Sequence, residues 1–203
     1  MVPGLSYSPS RLRRRRQRGQ SLAEFTLVFP FFIVLLFGVV EFAFAFNGAL
    51  SIDFATRDAA LAAAEAGSET GADCSILRVI EKSITAPADR NKITQVRIFK
   101  ATTLGANTLG KNNIFTRGTG TYTCPDGSGT MPYKKDTANS SYPEGSRCNV
   151  LAGCGGTSTT VDTIGVELTY VYTWKTPLPR LLPLAGTGYT MVKDNAMRME
   201  PVL

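Results

Sequence analysis

Histidine is absent from all 203 residues, which removes Ser/His and Cys/His nucleophile pairs and every imidazole metal ligand together. Neither a GxSxG elbow nor a Walker A loop occurs, so nucleophile-elbow and P-loop chemistry have no carrier. The chain is expected not to be an enzyme and to need no cofactor. Cysteine is sparse, and its four copies (Cys74, Cys124, Cys148 and Cys154) include no CxxC pair. Without that spacing and without histidine, no metal site is expected, and redox chemistry has little support. In an oxidising compartment the four thiols would form one or two disulfides, with three complete pairings open.

Acidic residues are missing from residues 1–19, which carry six arginines, among them Arg13, Arg14, Arg15, Arg16 and Arg18. The formal net charge of +6 therefore resides in this one stretch, since the rest of the chain holds sixteen basic and sixteen acidic residues. A nucleic-acid-binding face would spread such charge over a folded surface. Placed directly before an apolar run, it reads instead as the positive-inside signal that keeps an N-terminus cytoplasmic. No nucleic-acid partner is expected.

Charge is also missing from Phe25 to Val40, and beyond Glu41 the apolar stretch continues to Phe46. As a helix, residues 25–46 would rise about 33 Å, enough for a bilayer core of roughly 30 Å. One membrane crossing follows. The uncharged run exceeds the usual core of a cleaved secretory signal, although Ala43 and Ala45 form a small-x-small pair. Pro30 and Gly38 are weak points at which the helix is expected to bend or loosen. Helix formers continue through "ALSIDFATRDAALAAAEAG", with Gly67 as the expected C-cap. Residues 22–66 would then make a rod on the order of 65 Å, half in lipid and half a stalk. Its alanines, Ala55, Ala59, Ala62, Ala63 and Ala66, allow close helix approach or packing on the chain's own domain.

Glu24 stands where lipid would begin, and an unpaired carboxylate there costs several kcal/mol unless it reaches water, a proton or a cation. Gly19 lies five residues before it. Cutting the Gly19/Gln20 bond would remove the leader arginines and create a new α-amino cation beside the membrane. Glu24 cannot easily reach the terminus of its own helix, but it can meet that of a neighbouring subunit shifted along a bundle.

The residues "RGQSLAEF" followed by "TLVFPFFIVLLFGVVEFAFAF" resemble the class III signal of the type IV prepilin superfamily. Within it, the Glu24-Phe25 pair and the run after it resemble the TadE-like proteins of tight adherence (Tad/Flp) pilus systems, as does "AMRMEP" near the C-terminus. The resemblance implies cleavage after Gly19 by a prepilin peptidase. It also implies a minor pseudopilin without chemistry of its own, assembled through its N-terminal helix. The implied partners are that peptidase, other pilins and pseudopilins, the inner-membrane assembly platform and membrane lipid. The implied location is the bacterial inner membrane, single pass, with a cytoplasmic N-terminus and a periplasmic or extracellular C-terminal domain, and incorporation into the pilus. The alternative is a single-pass, membrane-anchored extracytoplasmic binding protein that is not processed as a prepilin, with Glu24 incidental.

The organisation that follows is a leader at 1–19, a transmembrane and stalk helix at 20–67, and an extracytoplasmic head at 68–203. In the head, residues 75–84 read as a short amphipathic helix and residues 92–101 as a strand. Residues 161–174 alternate strictly, with Ile164, Val166, Leu168, Tyr170, Tyr172 and Trp174 on one face. Residues 189–200 supply a third strand. The Gly/Thr-rich segment 102–160 reads as a loop-rich insertion with too few large apolar groups for a core of its own. The proline-rich segment 177–188 is expected to be neither a regular helix nor a central strand, and to cover the core in preference to resting at the membrane surface. The fold class is therefore α+β, a long N-terminal helix packed against a small antiparallel sheet.

Overall fold

The computed structural model describes residues 10–102, 105–149, 154, 160–181 and 186–199, of which 10–18, 108, 109 and 181 are described through their backbone. Helix α1 (Ser10–Ala66) is followed by α2 (Ala72–Ser83), strands β1 (Ile93–Ala101), β2 (Asn107–Thr123), β3 (Thr130–Lys135) and β4 (Thr163–Thr173), the single turn α3 (Leu178–Leu181) and β5 (Gly188–Arg198). Two compact units result, Met1–Ala43 with Trp174–Ala185, and Phe44–Thr173 with Gly186–Leu203. Helix α1 contributes to both. It passes through Pro30 without a break in the helical assignment, as membrane-compatible helices can when the freed carbonyl is satisfied locally. Gly67, at φ 57°, ends it. This left-handed value favours glycine, and the Gly67 N–H returns to the Ala63 carbonyl at 3.2 Å.

In the second unit the sheet runs in the order β3-β2-β1-β4-β5, with every neighbouring pair antiparallel. The alternation seen in β4 comes through directly: Ile164, Val166, Leu168, Tyr170 and Tyr172 are all buried. They meet Ile76, Leu77 and Ile80 of α2, Val96 and Ile98 of β1, and Ile52, Ala55, Ala59 and Ala63 of α1 in one core. Each fully buried large aliphatic side chain there contributes on the order of 1.5–3 kcal/mol. The alanines of α1 thus serve packing on the chain's own sheet. Thr56, fully buried beside them, accepts a hydrogen bond from Asn195 of β5 at 2.8 Å. On the opposite sheet face, Gly165 lies across from Phe99 in register, and a Cβ there would run into the Phe99 ring. Glycine is needed at this point so that the ring can lie on the strand.

Where three strands were expected, the described residues form five. β2 and β3 occupy residues 107–135, inside the segment read as a loop-rich insertion. That segment lacks apolar alternation because β2 offers the core little beyond Phe115, while its buried Asn113 is polar. Its pairing is set by β1 on one side and β3 on the other, a long-range constraint with no local period. The proline-rich segment also differs. Residues 178–181 form one helical turn, and Trp174–Ala185 group with the first unit and not with the unit that holds the core they were expected to cover. Residues 182–185 lie outside the described residues.

Candidate functional site

Three places concentrate chemistry: the exposed N-terminal part of α1 in the first unit, and a buried polar network and a partly exposed ion-pair cluster in the second.

In the first unit Leu22, Phe25, Leu27, Phe31, Leu35, Val39 and Phe42 are each more than 60% exposed. Such a surface is stable only in lipid or against other helices. The stretch Gly19–Ala66 is the one helix among the described residues long and apolar enough to cross a membrane. Gly19 is exposed, with nothing among the described residues within 4 Å of a Cβ built on it. Glu24 is exposed and accepts a hydrogen bond from the side chain of Gln20 at 3.1 Å, one helical turn back. Phe25 stacks at 5.2 Å on Phe29 along the same surface. Gly19, Gln20, Glu24 and Phe25 therefore lie within two turns of one continuous helix. Arg13, Arg14, Arg15, Arg16 and Arg18 belong to the same helix by backbone, and their side chains lie outside the described residues.

Glu41 interrupts the apolar run of α1. The structure gives it a specific task. It is 2% exposed, and its carboxylate accepts the backbone N–H of Lys175 at 3.0 and 3.2 Å and that of Thr176 at 2.7 Å. These charge-assisted bonds offset the cost of burying the acid and fix the connection between β4 and β5 against α1.

In the second unit, Asp73 at the start of α2 is fully buried and pairs with the fully buried Arg147. It also accepts from Asn113 at 2.9 Å and from Lys135 at 3.4 Å. Asn113 exchanges hydrogen bonds with the Tyr142 backbone, at 2.7 and 3.2 Å, and the Tyr142 hydroxyl donates to Asp162 at 2.9 Å. Lys100 completes the chain on Asp162 at 2.5 Å. The Arg147 guanidinium lies 5.1 Å from the centre of the Tyr142 ring. Glu144 caps α2 from a distance, accepting the N–H of Gly71 at 2.9 Å and of Asp73 at 2.7 Å. A carboxylate at a helix N-terminus meets both the free donors and the positive end of the dipole. Removing one member of such a buried pair typically costs 3–5 kcal/mol, so the network holds residues 142–148 to α2. No sequence signal announces it, because Asp73 and Arg147 stand 74 positions apart.

The cysteines join as Cys74–Cys124 and Cys148–Cys154. The first links α2 to the β2–β3 hairpin; the second closes a six-residue step beside Arg147. Among the described residues no group of three His, Cys, Asp or Glu side chains is placed to hold a metal.

A third cluster is partly exposed. Arg117 of β2 forks onto Glu81 of α2 at 2.8 and 3.1 Å, and the Tyr133 hydroxyl donates to the same carboxylate at 2.7 Å. Burial pushes the Glu81 carboxyl up, but the hydrogen bonds from Arg117 and Tyr133 and the Arg117 charge outweigh it, so Glu81 titrates below the usual carboxylate range. Burial raises the Tyr133 phenol, with the adjacent Glu81 adding to the effect, so Tyr133 remains the donor.

No curated protein and no solved structure matches the chain. A family model does match residues 19–61, and those residues run along α1 from the open Gly19 past Glu24, Glu41 and the buried Ala55. The family is described as TadE-like protein, and residues 19–61 of the chain are similar to it.

Proposed function

We propose that the protein is a minor pseudopilin-like structural component of a Tad/Flp pilus, cleaved after Gly19 by a prepilin peptidase and assembled through its N-terminal helix. The observation that carries this reading is the coincidence of the TadE-like match with a helix whose large apolar side chains are exposed over seven turns. Gly19 and Glu24 support it by position. A Cβ at Gly19 would meet nothing within 4 Å, and among the described residues Glu24 accepts from a neutral side chain, that of Gln20. Cleavage would turn Gln20 into an N-terminus, and Glu24 would then meet the terminal cation of a neighbouring subunit.

The same reading divides the chain into a leader (1–19), a membrane and stalk helix (20–67) and an extracytoplasmic head (68–203). It places the protein in the bacterial inner membrane with the N-terminus cytoplasmic, in contact with other pilins, the assembly platform and lipid. The two disulfides fit an oxidising compartment for the head. N-terminal sequencing and intact mass of the protein extracted from membranes test the proposal. The expected result is a chain beginning at Gln20 in cells with the peptidase and at the leader in cells without it. A leader retained in both would leave a membrane-anchored binding protein as the better reading.

A further inference from the structure

Lys175 and Thr176, in the connection between β4 and β5, are clamped to α1 at Glu41. Around that clamp the helix is bare: Leu35 is 63% exposed, Val39 61% and Phe42 72%. A segment held at the height of these residues shares whatever medium covers them.

The backbone N–H groups of residues 175–180 are arranged as a medium without water requires. Lys175 and Thr176 give their N–H groups to Glu41. Pro177 and Pro179 have none. The Leu178 N–H faces the Thr176 hydroxyl at 3.4 Å, and Arg180 donates to the Pro177 carbonyl at 3.0 Å. Every backbone donor from 175 to 180 thus has a partner inside the protein or does not exist. An exposed loop in water has no need of this, because water would satisfy each group, whereas hydrocarbon and the headgroup boundary impose it. The side chains match that boundary. Trp174 is an amphipathic ring, Leu178 is apolar, and Lys175 and Arg180 are exposed cations on long apolar stems.

We infer that residues 174–181 form a seat in the outer interfacial layer of the bilayer that α1 crosses, with Trp174 and Leu178 at the acyl boundary and Lys175 and Arg180 toward anionic phospholipid headgroups. The inference rests on the proposal that α1 spans a membrane. It adds a second contact, outside α1, that fixes the depth and rotation of that helix through Glu41.

Trp174 is the only tryptophan in the chain, so its fluorescence reports this segment alone. The full-length protein is reconstituted into phosphatidylethanolamine/phosphatidylglycerol vesicles carrying lipids brominated at graded depths. A second chain, Trp174→Phe with Phe32→Trp, reports the middle of the helix. The expected result is that bromines near the headgroup quench Trp174 most and deep bromines quench Phe32→Trp most. Glu41→Gln should shift Trp174 emission to the red and weaken its quenching while α1 stays inserted.

The inference is overturned, with the membrane anchor intact, if Phe32→Trp is quenched by bromolipid while Trp174 answers only to aqueous iodide. Shielding of Trp174 from both quenchers would assign the segment to a protein partner and also overturns it. A Phe32→Trp that no bromolipid quenches removes the anchor and the seat together.

Discussion

Glu81 of α2 ties its helix to two strands, since it accepts both arms of Arg117 from β2 and the hydroxyl of Tyr133 from β3. Its folded titration lies below the usual value of 4.5 because those partners favour the charged form. A group depressed on folding contributes stability that is fully present above its unfolded value and is lost as pH falls through the folded one. Unfolding in urea, followed by circular dichroism on the detergent-solubilised protein, should therefore show a midpoint that declines below about pH 4.5. Glu81→Gln should lower the midpoint at pH 7 and flatten part of that decline. An unchanged pH profile in the variant would show that Glu81 carries none of it.

Among the elements, the β2–β3 hairpin is the one least supported by its own sequence. It is held on one side by β1 and, off the sheet, by the Cys74–Cys124 bond and the polar network around Asp73. The disulfide spans 50 residues, and closing a loop of that size restricts the unfolded chain by about 4 kcal/mol on the loop-entropy estimate. The double variant Cys74→Ser/Cys124→Ser should lose roughly 2–5 kcal/mol in chemical denaturation. Protease nicking should then concentrate within residues 107–135, whereas β4 and β5 should keep their protection from hydrogen exchange. Uniform loss of protection would mean that the sheet melts as one unit.

For the whole molecule, the mature chain proposed here would lose six arginines at one cut and emerge formally neutral. Its assembly would then depend on one local charge pair and a large apolar helix surface. Glu24→Gln keeps size and polarity but removes the charge. It should leave membrane insertion and cleavage at Gly19 intact, while the amount of the protein recovered with sheared or crosslinked pilus subunits falls several-fold. Immunoblots of membrane and pilus fractions distinguish the two effects, and equal recovery of variant and wild type would exclude the intersubunit pair.

The parts decided by local period were legible from the residues themselves. A charge-free apolar run can only be a span or a buried helix. Gly67 ends α1 because its backbone is left-handed, and the alternation of β4 reads off as one buried face. The parts decided by partners far along the chain were not legible. The strand identity of 107–123, the meeting of Asp73 with Arg147 and the capture of Lys175 and Thr176 by Glu41 each join residues 40 or more positions apart or depend on neighbouring strands. Hydrophobic period is a property of neighbours in sequence, so it fixes helices and amphipathic strands. Hydrogen-bond satisfaction of buried polar groups is a property of neighbours in space, and only the folded chain brings those groups together.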